Sequence, residues 1–320
     1  MEIQGLQALY AGHKSVKALA KALQDGSVRT IFAEGLCASA APLLFSSLAA
    51  TCPQVMACPY VFVLDDAEEA GYFYHDLTQI LGSETVLFFP SSFRRSIKYG
   101  QKDAANEILR TEVLSRLQKG EKGLCIVTYP DALAEKVVSR KELSNKTLKL
   151  SVGEKVDTTF ITDVLHSYGF EYVDYVYEPG QYAVRGSIID VFSFASEYPY
   201  RIDFFGDEVE SVRTFEVESQ LSREKKKEVS IVPDLAVTGE VTTSFLDFIP
   251  KETVLAMRDF LWLRERIQVV HDEALTPQAI AVQEAEENGG ITLEGKLIDG
   301  SEFTVRALDF RRLEFGNKPT

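Results

Sequence analysis

The sequence predicts an α/β protein, a parallel sheet with helices on its faces, interrupted by a small α+β domain. Three observations predict it. Between about Val28 and Thr147, β-branched or aromatic runs alternate with helical runs. Near Ser151 the pattern changes to a helix followed by strand runs separated by turn residues, and after about Leu235 the strand–helix alternation resumes. The expected organisation is residues 1–147 for the first part of the parallel domain, 148–233 for the insertion, and 234–320 for the second part with a polar linker at Gly316-Asn317-Lys318-Pro319-Thr320.

Residues before Val28 read as a separate helical element, and strands follow at Thr30–Glu34, Tyr60–Asp65, Thr85–Phe89 and Leu124–Thr128. A helical run from Ala104 to Gln118 lies between the last two. The first strand leads into Gly35-Leu36-Cys37-Ala38-Ser39-Ala40-Ala41-Pro42 and an apolar helix, the layout of a P-loop. Its chemistry is missing. A phosphate-cradling loop needs a second glycine, a lysine for the β- and γ-phosphates, and a hydroxyl for magnesium. Those slots hold Ala40, Ala41 and Pro42, and the proline also removes an N–H from the helix start. A working ATPase would further carry an Asp-Glu pair after a buried strand, yet the candidate Thr253–Met257 continues into Arg258-Asp259-Phe260, with Phe260 in the carboxylate slot. Gly35, Ala40, Ala41, Pro42, Asp259 and Phe260 therefore mark an inactive nucleotide site, and no cofactor is expected.

Within the insertion, a helix from Thr159 to Tyr168 ends at Gly169. Val184, Ile188, Ile189, Val191 and Phe192 lie in strand segments, bent at Pro179-Gly180 and Gly186. Along Tyr200–Phe205 a two-residue period places Tyr200, Ile202 and Phe204 on one face and Arg201, Asp203 and Phe205 on the other. Gly206-Asp207 fits a two-residue hairpin turn, which sets Phe204 opposite Val209, Asp203 opposite Glu210 and Arg201 opposite Val212. The second face reads as solvated and charged. An aromatic among charges there has the make-up of a protein-binding anchor; the alternative is a Phe205 tucked under a loop.

The segment EPGQYAVRGSIIDVF, followed by YPYRIDFFGDEVESVRTFEVESQLS, closely resembles a block shared by UvrB and the bacterial transcription-repair coupling factors (Mfd). The resemblance implies a small domain that docks on the excision-repair damage sensor UvrA. It makes Arg185 of the VRG turn, Arg201 at the start of the RIDFF strand and Phe205, the second phenylalanine of that strand, its UvrA contacts. Weaker similarity extends over most of residues 28–260. UvrB has intact ATPase motifs and a long aromatic hairpin after its third strand. Here Thr85–Pro90 passes through the short basic loop Phe93–Tyr99 into the helical run, leaving no room for that hairpin. The chain thus resembles the amino-terminal, UvrB-like region of the coupling factors: a degenerate RecA-like (UvrB domain 1-like) sheet with an inserted UvrB domain 2-like module. The function implied is non-catalytic recruitment of UvrA, bringing nucleotide excision repair to stalled RNA polymerase. A full-length parent would bind RNA polymerase and translocate on double-stranded DNA with ATP. Alternatives are a UvrB-type damage-verifying ATPase, a direct DNA-binding module, and an autoinhibitory domain restraining the parent translocase.

Composition weighs against nucleic acid as the direct partner. Among 320 residues, 34 Lys+Arg against 48 Asp+Glu give a net charge of −14, which repels a phosphate backbone unless basic groups cluster. Arg94, Arg95 and Lys98 read as a solvated loop, and the run Arg223–Lys227 as a solvating loop after the hairpin. Cys37, Cys52, Cys58 and Cys125 form no CxxC pair, and His13, His75, His166 and His271 are scattered, so neither a metal site nor a Ser-His hydrolase is expected. The chain lacks an apolar run of membrane-spanning length and its amino terminus lacks a signal pattern, which predicts a cytoplasmic protein.

Overall fold

Tyr60–Val63, Cys125–Thr128 and Val254–Met257 are buried at every position. Such continuous burial belongs to a parallel sheet covered on both faces. The computed structural model describes residues 3–36, 39–92, 104–235, 239–276 and 293–316. The basic loop with Arg94, Arg95 and Lys98, the P-loop-like positions Cys37 and Ala38, and Asn317–Thr320 lie outside the described residues. The chain divides into two units, one of residues 1–106, 116–137 and 242–320, the other of residues 107–115 and 138–241. It is a mixed α/β protein with a parallel sheet and a separate β-rich unit.

In the first unit six parallel strands stand in the order Thr30–Phe32, Arg311–Glu314, Val254–Met257, Tyr60–Val63, Cys125–Thr128, Val86–Phe88. The Arg311–Glu314 strand was not among those expected. Only Leu313 of its four residues is apolar; that side chain is fully buried, and the strand is held by parallel neighbours on both sides. Phe45 packs edge-on against Phe62 at 4.6 Å between ring centroids, and the helix Ala67–Leu81 begins at Asp66, whose carboxylate accepts from the Glu69 N–H at 2.9 Å.

The second unit holds a six-stranded sheet in the order Ser222–Lys226, Glu208–Phe215, Tyr200–Phe205, Ile188–Val191, Gln181–Arg185, Glu171–Tyr172. All its pairings are antiparallel except the last. The helix Thr158–Ser167, capped by Asp157 and followed by Gly169 at φ +77°, lays Ile161 and Leu165 against Tyr182, Ile189, Val191, Ile202, Phe204, Val209 and Val212. The short antiparallel pair Leu148–Ser151 and Glu228–Ile231 adds Leu150, Val229 and Ile231 to the same core. Each fully buried side chain of this kind contributes about 1.5–3 kcal/mol.

Three expectations about this sheet are corrected. Phe204 does face Val209, but a bulge leaves Glu210 as an extra residue, so Asp203 faces Ser211 and Arg201 faces Arg213. The bulge returns Val212 to the core opposite Ile202. The second face is only partly solvated, because Val176, Ala183, Phe192 and Phe215 form a small core on it, joined by Val173 and Val217. The basic run is no loop: Ser222–Lys226 is an edge strand, exposed at every residue, and lysines there block edge-to-edge pairing.

Candidate functional site

Alternation along Tyr200–Phe205 buries Ile202 and Phe204 and turns Arg201, Asp203 and Phe205 to the opposite face. Phe205 ends the strand before a tight turn in which Gly206 takes φ +61°, and its side chain is 80% exposed. Its strand partner is Glu208, itself exposed. Asp203 accepts from the Ser211 hydroxyl at 2.6 Å and pairs with Arg213 at 3.0 Å. Phe205 therefore stands clear of the core among fixed polar groups.

On the same face, four residues back along this strand, lies a buried ion cluster. Asp190, in the strand Ile188–Val191, sits directly across from Arg201 on one side and Ala183 on the other, and its side chain is 1% exposed. Arg201 grips it with two bonds, Nε to Oδ1 at 2.8 Å and a terminal nitrogen to Oδ2 at 2.9 Å. Arg185 reaches the same Oδ2. Arg201 is 13% exposed, stacks on the Phe215 ring at 4.4 Å and donates to the Gln220 carbonyl at 3.1 Å. Gln220 takes φ +57°, unusual for a residue with a Cβ, and this turn carries its carbonyl to the arginine. Its hydrogen bond to Asp190 pushes the Arg201 pKa above its ordinary value, which keeps it charged. Arg185 is more open, at 36%, and its guanidinium lies 5.1 Å from the half-exposed Tyr175 ring.

The sequence-derived residues Arg185, Arg201 and Phe205 thus lie on one face of one sheet, and the two arginines share a carboxylate. Sequence reasoning missed Asp190 as their partner, and Tyr175 beside Arg185. A lone acid in Ile188-Ile189-Asp190-Val191-Phe192 was the signal that could have found it, because a carboxylate in a buried strand requires a cation.

The nucleotide-like region of the other unit is filled in a different way. Gly35 takes φ +83° before the helix Ala40–Thr51, in which Ala41 and Pro42 are buried. The Ser39 hydroxyl at that helix start donates to the Asp76 carboxylate at 2.6 Å. Asp259 caps the helix Phe260–Ala274, accepting from the Trp262 N–H at 2.7 Å. The Phe260 ring is buried, 5.8 Å from Phe303, with the Arg312 guanidinium 4.2 Å above it. Burial raises the pKa values of Glu314, at the end of its strand, and Asp65, just past the end of the strand Tyr60–Val63; Arg258, 3.3 Å from Asp65, opposes the latter shift. Among the described residues no group of His, Cys, Asp and Glu has the arrangement of a metal site. Cys52, Cys58 and Cys125 are free thiols, Cys125 being pushed up to about 12 by burial. No described helix is long and apolar enough to cross a membrane.

Residues 148–236, which include the whole arginine and Phe205 face, match the family of the UvrB interaction domain. Over a longer stretch it is similar to transcription-repair-coupling factors. The identity is 28% over 190 residues with that of Escherichia coli K12 (59% of this chain, 16% of the relative). It is 27% over 232 residues with that of Bacillus subtilis 168 (72% and 19%), and 31% over 184 residues with that of Myxococcus xanthus (56% and 15%). The chain therefore spans at most 19% of the length of these relatives.

Proposed function

We propose that this chain is a non-catalytic, cytoplasmic recruitment module of a transcription-repair coupling factor, which binds UvrA and brings nucleotide excision repair to stalled RNA polymerase. The observation that carries the reading is Phe205, 80% exposed in the stretch that matches the UvrB interaction domain and on the same sheet face as the Arg185–Asp190–Arg201 cluster. An exposed aromatic beside oriented arginines is the usual make-up of an interface hot spot. Phe205 enters an apolar pocket of UvrA, and the more open Arg185, with the charge of Arg201 beside it, meets its acidic groups. The module works without a cofactor, since Ala41, Pro42 and Phe260 are used as packing and Ser39 is engaged by a carboxylate. Binding to RNA polymerase, and ATP-driven movement on double-stranded DNA, belong to other parts of such a factor.

Calorimetric titration of the chain into UvrA at two salt concentrations tests the reading. Saturable binding that Phe205→Asp abolishes supports it, and absence of binding by the wild-type chain refutes it. Affinity for DNA alone that falls steeply with salt would instead favour a nucleic-acid module.

A further inference from the structure

Resting on the recruitment reading above, we propose that Asp190 is the positioning residue of the docking face: its carboxylate fixes the Arg185 and Arg201 guanidiniums in the orientation that the partner meets. A buried carboxylate is costly unless it is paired, and an apolar residue would fill this strand position at less cost. The carboxylate is 1% exposed and takes two hydrogen bonds from Arg201 and one from Arg185. Each arginine has a second restraint, Phe215 and the Gln220 carbonyl for Arg201 and the Tyr175 ring for Arg185. Two long, rotamer-rich side chains are thereby ordered before any partner arrives, which removes that ordering cost from association. Two cations on one anion leave the cluster with net positive charge, suited to an acidic partner surface.

This role and simple charge attraction give opposite signs. Asp190→Asn removes a negative charge, so an attraction to acidic groups alone would tighten UvrA binding. Positioning requires the reverse, at least a tenfold weakening, because the neutral amide cannot hold both guanidiniums. The experiment is titration of UvrA with wild type, Asp190→Asn and Arg185→Lys, with a thermal melt of each to show that it is folded at the binding temperature. Arg185→Lys keeps the charge at a more open position and loses the planar fork, so it keeps the test decisive if Asp190→Asn does not fold. Weaker binding by each folded variant supports the proposal. A folded Asp190→Asn that binds as tightly as wild type or more tightly overturns it, as does unchanged affinity for Arg185→Lys. A wild-type chain that does not bind UvrA at all overturns the recruitment reading first, and this inference with it.

Discussion

Truncating Phe205 to alanine separates binding from folding more cleanly than any other change on this face. The side chain is 80% exposed, so the folded chain loses almost no packing and its stability should change by no more than about 0.5 kcal/mol. In a complex the same ring becomes covered. An aromatic side chain buries roughly 150–250 Å². At about 25 cal/mol per Å², covering the exposed part of such a ring corresponds to at most about 5 kcal/mol. Hot-spot truncations commonly cost about 2 kcal/mol or more, which is roughly a thirtyfold or greater loss of affinity. The assay is calorimetric titration into UvrA with a parallel thermal melt. Unchanged affinity would refute the anchor role. A melting temperature lowered by many degrees would show that the ring supports the fold, and its exposure would then no longer mark it as a free anchor.

Other changes should act through stability or charge. Arg201→Ala leaves Asp190 buried with a single partner, so urea unfolding should report a loss of about 3 kcal/mol, and its effect on UvrA binding must be measured where the variant is folded. Magnesium-ATP should leave the melting temperature of the chain unchanged at millimolar concentration, whereas a rise that grows with ligand concentration would reveal a working nucleotide site. Burial raises Glu314 above the carboxylate value of 4.5, so the folded chain holds that proton more tightly than the unfolded one. The stability linked to this group is complete below 4.5 and is lost as pH rises through the higher folded value. Glu314→Gln should accordingly be more stable than wild type at pH 7, with the difference shrinking towards pH 4.5, as read by urea unfolding at several pH values.

Much of the β-rich unit was legible because its signals are local. The two-residue period of Tyr200–Phe205 and the Gly206-Asp207 turn place Phe205 outward without knowledge of any distant residue. The register beyond the turn was not legible, because Glu210 bulges out and a single extra residue exchanges the faces that follow it. The Asp190 partners were hidden for a related reason. Arg185 lies five residues before it and Arg201 eleven after, and only the pairing of three strands joins them. The strand Arg311–Glu314 carries almost no strand signal of its own and is imposed by its two neighbours.

The two candidate sites of this chain illustrate two ways in which a residue's chemistry is fixed by what surrounds it. At the region that resembles a nucleotide site the residues serve the fold. Ala41 and Pro42 pack in the helix Ala40–Thr51, Asp259 caps the helix Phe260–Ala274, and Phe260 lies against Phe303. A single Ala41→Lys substitution would therefore place a cation in a buried, apolar position and leave the Ser39–Asp76 contact in place, so it should not create phosphate binding. On the face proposed to dock, Asp190 is buried between two arginines, and Phe205 is left without a covering. An aromatic that exposed lowers neither the energy of the fold nor the risk of aggregation, and a partner that covers it together with the ion cluster on the same face, as proposed above, would account for both.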